Sequence, residues 1–284
     1  MNFTYILSYT KRKIKRIPII MWIYEKWYEN KCSRIPRKTQ FGFQIFGDPY
    51  NMENSYEKNE TNLVLHYLER SDYMMNIGAN VGYYTCLASS RGVKTVAIEP
   101  LARNLKYLYT NLETNGFSEN VEVYPIALGN TIGIQSIYGR GGLASLIQGW
   151  YGQPTFIRER ITINTLDNLF HDRFSGTRLL IIMDVEGYEK KILEQASLHL
   201  DLSPKPIWLL EIGIYPLIGD KKVFNDGIFD TFDFFYNNGY RAWIISETIQ
   251  EVTKKTLQEM KEKDNSSTRN FIFLDENEIP PNLA

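Results

Sequence analysis

Cysteine is nearly absent. Cys32 and Cys86 are the only two in 284 residues, too few for a disulfide framework or a cysteine-built zinc site, and they fit a reducing, cytoplasmic setting. Histidine is almost as scarce. His66, His171 and His199 are scattered, which argues against histidine-centred nucleophilic or metal chemistry. Long apolar runs are missing as well. Ile17 to Tyr24 is too short to span a bilayer and no small-residue cleavage site follows it, so neither a membrane span nor a signal peptide is expected. The net charge of −1 gives no general electrostatic reason to bind nucleic acid.

The charge that is present is unevenly placed. Residues 1–40 hold ten Lys and Arg against Glu25 and Glu29, a local +8 that leaves −9 for the rest. Residues 1–60 therefore read as a basic arm and polar connector, followed by one domain over 61–275 and a tail at 276–284. In the arm, Pro18 can open a helix whose Ile19, Trp22, Ile23 and Trp27 share one face. Beside Lys11 to Arg16, such a helix can rest on an anionic membrane surface or pack across a homodimer; a solvated tail is the simplest reading.

From Thr61 onward, helical and extended patterns alternate. Helices are expected at 61–70, 83–90, 104–115, 188–199 and 228–238, and strands at 72–77, 94–98, 121–125, 179–184, 207–212, 240–245 and 270–274. Residues 131–163 interrupt this order with a Gly-rich hairpin whose tip is Gly139 to Gly142. Thr165 can cap a short helix after it. The alternation predicts a doubly wound, Rossmann-like α/β sheet, which binds ligands at the carboxyl ends of its strands.

Two segments at that edge carry the most information. Strand 72–77 runs through Asn76 into Gly78-Ala79-Asn80-Val81-Gly82, and seventeen residues beyond Gly82 the next strand ends on Glu99. A glycine turn opening a helix, with an acid after the second strand, is how such sheets grip a nucleoside. The spacing is G-x-N-x-G, not the G-x-G-x-x-G that seats a dinucleotide pyrophosphate. S-adenosylmethionine, which has no phosphate, fits better. An NAD(P)-linked oxidoreductase is the weaker alternative, with no Tyr-x-x-x-Lys and no placed histidine to serve it.

Taken together, Gly78 to Thr85, Ala97-Ile-Glu-Pro100 with Asn104, Ala127-Leu128, Thr165-Leu-Asp167, Asp184-Val-Glu-Gly-Tyr-Glu189 and Leu210-Glu-Ile212 resemble the FkbM-type methyltransferases. The resemblance covers roughly Asn76 to Leu274. It implies a class I methyltransferase sheet, S-adenosylmethionine as cofactor, and methyl transfer to a hydroxyl of a sugar, glycan or similar acceptor. Cofactor contacts would come from Asn76, Gly78, Ala79, Asn80, Gly82, Tyr83 and Thr85 in the first motif. Glu99 would take the ribose hydroxyls with Pro100 and Asn104 beside it, and Ala127 and Leu128 would flank the adenine. Two positions depart from the family, which usually has Asp at Asn76 and Lys at Ile182. The amide at Asn76 still accepts a hydrogen bond but gives up about 1 kcal/mol of charge assistance.

For the chemistry, Asp184 is the expected general base, with Glu186 or Glu211 as orienter or substitute. The same acids could instead gather a divalent cation, and Glu186 or Glu189 could simply belong to a helix's first turn. Tyr83 and Tyr84 could line the cofactor pocket and Trp150 and Tyr151 could stack on a sugar face, but core packing is the stronger reading of both pairs. Arg140 in the hairpin tip could meet an acidic acceptor or serve only solubility. A non-catalytic binding protein on the same scaffold is the remaining alternative, and Asn76 and Ile182 are what keep it open.

Overall fold

The computed structural model describes residues 36–47, 57–219, 221–246, 249–263 and 269–281. The chain opens with a small hairpin, β1 (Arg37–Lys38) and β2 (Gln44–Ile45), before helix α1 (Lys58–Leu68). Then come β3 (Tyr73–Ile77), α2 (Tyr83–Ser90), β4 (Lys94–Ile98), α3 (Ala102–Asn115) and β5 (Val121–Tyr124). An insertion holds β6 (Ala127–Leu128), β7 (Gly133–Tyr138) and β8 (Arg158–Asn164). The main sheet resumes through α4 (Leu166–Phe170), β9 (Leu179–Met183), α5 (Glu189–Leu193), α6 (Ser197–Leu200) and β10 (Ile207–Glu211). A short pair, β11 (Leu217–Ile218) and β12 (Lys221–Lys222), precedes α7 (Gly227–Tyr236), β13 (Tyr240–Ile244), β14 (Gln250–Val252), α8 (Lys254–Glu262) and β15 (Asn270–Asp275).

Eight strands form one sheet in the order β14-β13-β15-β10-β9-β3-β4-β5. The five from β10 to β5 are parallel, so their carboxyl ends share one edge. β15 inserts antiparallel between β10 and β13, and β14 pairs antiparallel at the rim. Both faces are covered, as expected for strands that read as continuous apolar runs. In β9, Leu179, Ile181 and Met183 enter one core while Leu180 and Ile182 enter the other. Each such fully buried side chain contributes about 1.5–3 kcal/mol, so the two cores hold the strand register on which the site depends.

Three expectations change. Phe43 and Ile45 lie in the core beside α1 and α3, so the domain begins within the segment read as arm and connector. The helix expected over 188–199 is two, α5 and α6. No Gly or Pro separates them; the break is held from α4, where the Asp167 carboxylate accepts the Leu198 N–H (3.0 Å), the Ser197 hydroxyl (3.1 Å) and buried His199 (2.8 Å). Strand β14 and helix α8, opened by a Thr253–Thr256 capping box, are additions that periodicity did not suggest. The amphipathic segment at 17–27 and Cys32 lie outside the described residues. Among the described residues no helix is long and apolar enough to cross a membrane.

Candidate active site

The turn after β3 explains its own residue types. Gly78, Asn80 and Gly82 all have positive φ (84°, 51° and 92°), the left-handed region where glycine is unstrained and asparagine is the best-tolerated substitute. At Gly78 space decides as well: a Cβ would lie 1.8 Å from the Asp184 carbonyl oxygen. Gly82 serves packing, since a Cβ there would meet Leu108 of α3 at 2.4 Å. No side chain caps the N-terminus of α2.

Glu99, just past β4, is almost fully buried (4 % exposed). Its carboxylate accepts the Asn80 N–H (2.8 Å), the Leu101 N–H (2.9 Å) and the Asn104 side-chain amide (3.2 Å). Burial nonetheless pushes its pKa up to about 7 against those bonds. Glu99 stands at one end of a cleft of about 590 Å³, part of it open to solvent. Gly78, Asn80, Pro100 and Asn104 line this cleft, with Ala127 and Leu128 on its apolar side. The insertion supplies the facing wall: β7 and β8 pair antiparallel, as the expected hairpin, and Ile137, Gly141, Gly142 and Leu146 border the cavity.

The turn after β9 is tied to the first one, with the Asp184 N–H donating to the Ile77 carbonyl (3.0 Å). Glu186 and Gly187 are both left-handed, at φ 52° and 95°. The buried Glu189 carboxylate accepts the Gly187 N–H (3.0 Å) and so braces the turn from inside. Asp184 Oδ1 is buried and accepts no hydrogen bond. Burial first, then Glu211 and Glu186, raises its pKa well above the carboxylate range. Burial likewise lifts Glu186 to about 8, against the pull of a hydrogen bond from the Trp150 indole N–H (2.8 Å). Glu211, ending β10, is raised by burial despite Arg269, whose guanidinium lies 3.7 Å away.

A second cleft of about 640 Å³ lies on the other side of Gly78, Asn80 and Asp184, which border both. Asn76, Ala79 and Tyr83 line it, together with Glu57, Glu60 and Glu211. Tyr84 donates to Glu57 (2.5 Å) and Asn270 to Glu60 (2.6 Å). Asn76 is buried and donates to Thr85 (3.0 Å), so Thr85, like Gly82, stands behind the cleft lining. Asn76 and Ile182 pair directly across β3 and β9, both buried. The two departures from the family pattern are thus neighbours. An acid and a lysine at paired positions neutralise one another, and exchanging both leaves no unpaired buried charge.

Asp184 and Glu186 border the first cleft, while Asp184 and Glu211 border the second. Among the described residues no three His, Cys, Asp or Glu side chains form a metal-binding group. Trp150 is core, buried against Gly187. Four participants escaped the sequence reading: Glu57, Glu60, Glu189 as a brace, and Trp150 as a donor. Only Glu189 carried a signal, lying inside the Asp-Val-Glu-Gly-Tyr-Glu motif.

The family model described as the methyltransferase FkbM domain matches residues 76–242, from Asn76 in β3 to Ala242 in β13. The chain belongs to the FkbM methyltransferase family. Among solved structures, the methyltransferase FkbM of Methylobacillus flagellatus KT is 15 % identical with a TM-score of 0.45, over 72 % of this chain and 44 % of that one. This chain thus spans under half of that relative. The O-methyltransferase TomG of Streptomyces achromogenes, solved with S-adenosylmethionine, is 14 % identical at a TM-score of 0.43, covering 79 % and 81 %. The precorrin-6y C5,15-methyltransferase of Geobacter metallireducens is 12 % identical at 0.43, covering 81 % and 94 %. No curated protein matches the chain.

Proposed function

We propose that this FkbM-family protein is an S-adenosylmethionine-dependent O-methyltransferase whose acceptor is a hydroxyl of a sugar, glycan or similar molecule. The observation that carries this reading is the pair of clefts meeting at Gly78, Asn80 and Asp184, the first pairing apolar side chains with the hydrogen-bonded Glu99 and the second gathering Glu57, Glu60 and Glu211. The residues present fit the cofactor. Asp184 Oδ1 and Asn104 Oδ1 are buried acceptors with no protein donor, and a side chain at Gly78, on the border of both clefts, would collide with the Asp184 carbonyl. Glu99, Asn104, Ala127 and Leu128 would hold the nucleoside in the first cleft. About one of the four acceptor positions on Glu99 remains for a ribose hydroxyl, since three protein donors occupy the others. The second cleft would hold the amino-acid end, its ammonium against Glu57 and Glu60.

When bound, the cofactor supplies an electrophilic methyl group on a sulfonium. The chain's own work is to place the acceptor oxygen in line and to take its proton. Asp184 is the proposed base, because the residue borders both clefts and its Oδ1 carries no protein hydrogen bond. Glu186 beside it is the reserve acceptor of that proton, and Glu211 lies on the second cleft.

A thermal-shift titration with S-adenosylmethionine, S-adenosylhomocysteine, NAD and NADP tests the cofactor. At a hundred times its dissociation constant, a native-state ligand adds about 2.7 kcal/mol. The two adenosyl sulfur compounds are expected to shift the melting temperature and the nicotinamides to leave it unchanged. The reverse pattern would replace this reading with the oxidoreductase one.

A further inference from the structure

The insertion between β6 and β8 does more than wall the first cleft. Two of its side chains reach Glu186: the Ser145 hydroxyl donates to the Glu186 carbonyl (2.7 Å) and the Trp150 indole N–H donates to Glu186 Oε2 (2.8 Å). Glu186 sits at φ 52°, a conformation that costs a non-glycine residue energy and persists only where neighbours impose it. The indole ring presses on the turn so closely that a Cβ at Gly187 would lie 2.3 Å from Cη2, and one at Gly213 would lie 3.2 Å from Cζ2. An isolated bridge to Ile218 fixes Trp150 from the far side.

We propose that Trp150 is a positioning residue for methyl transfer, its indole N–H holding the Glu186 carboxylate at the border of the first cleft. This rests on the methyltransferase reading of the cleft. Packing alone requires a flat ring at this place, which phenylalanine supplies; the N–H is needed only if the carboxylate is to be held. The donor matters because the surroundings oppose the charge. Burial, Glu211 and Glu189 all disfavour ionisation of Glu186, a charge on Glu186 in turn disfavours one on Asp184, and Arg269 is the cation that acts the other way. With the indole bond in place, the insertion and the acid of the Asp-Val-Glu-Gly turn form one unit.

The test uses the full chain labelled with 15N-tryptophan. Of its five indole signals, the one lost in Trp150→Phe belongs to Trp150. The proposal expects this signal to move with pH, with a midpoint near that of Glu186 at about 8, and to stop moving in Glu186→Gln. A Trp150 signal that ignores both pH and Glu186→Gln overturns it. Should Trp150→Phe fail to fold, the signal that loses its titration in Glu186→Gln identifies the indole instead, and the absence of any such signal counts against the proposal. Adding S-adenosylmethionine to the same samples tests the other reading separately. No response of any signal to it would sink the cofactor assignment, whatever the indole titration showed.

Discussion

The two clefts share one border of Gly78, Asn80 and Asp184, yet they are built to opposite ends. The first is walled by Ile98, Leu101, Ile126 and Leu128, with Ile137 and Leu146 across from them, and the oxygens of its Glu99 are largely occupied by protein donors. The second gathers Glu57, Glu60 and Glu211 around Asn76, beside Val81, Ile182, Met183 and Leu209. An apolar slot ending in hydrogen-bonding groups suits a flat ring and its ribose. A cluster of carboxylates is stable only when protonated or facing cations. One ligand carrying an aromatic nucleoside at one end and a positive charge at the other satisfies both, which is why the pair says more than either cleft alone.

The most severe way to break the pairing is at their shared wall. Gly78→Ala places a methyl group on the Asp184 carbonyl and forces a side chain into a left-handed backbone. A loss of about 3 kcal/mol or more is expected, read as a lowered urea midpoint with the slope unchanged. Almost as large is the effect of restoring a charge to the second cleft's floor. Asn76→Asp or Ile182→Lys alone should each cost about 3 kcal/mol, because a buried charge is left unpaired. The double variant should recover most of that loss, and additive costs across the cycle would show that the two positions are not coupled.

At the apolar end, Glu99→Gln keeps the shape of the first cleft and removes its charge. Three charge-assisted bonds lose their charge and the new amide NH2 faces at least one of those donors, so S-adenosylhomocysteine affinity should fall by about 10- to 100-fold, measured calorimetrically. The most gradual effect is that of pH. Folding raises Glu99 and Glu189 to about 7 and Glu186 to about 8 from an ordinary 4.5. Between those values the folded chain binds more protons than the unfolded one, so this contribution to stability is complete below 4.5 and fades as pH rises toward 8. Chemical unfolding should therefore give a lower stability at mildly alkaline than at mildly acid pH, and bound S-adenosylmethionine should narrow that gap.

Local signals made the first cleft legible in the sequence and left part of the second hidden. Gly78, Asn80, Gly82 and Glu99 follow from strand, turn and strand within one short segment, because the left-handed turn demands those residue types where they stand. Glu57 and Glu60 come to the second cleft from the start of α1, and Asn270 from β15 on the far side of the sheet. Nothing local marks them, since glutamate at a helix start is ordinary. The coupling of Asn76 to Ile182 needed the β3–β9 register, and the bond from Trp150 to Glu186 needed the path of the insertion. The broken helix at Glu194 to Ala196 is similar, being set by Asp167 some thirty residues earlier.

One calorimetric comparison addresses the division of labour between the clefts most directly: S-adenosylhomocysteine and 5′-methylthioadenosine, which lacks the amino-acid end, titrated into the wild-type and Glu99→Gln chains. Both ligands should bind the wild type, S-adenosylhomocysteine more tightly, and Glu99→Gln should weaken the two by the same factor because both keep the ribose. Equal affinities in the wild type would mean that the second cleft takes no part in binding, and unchanged affinities in Glu99→Gln would remove the nucleoside from the first.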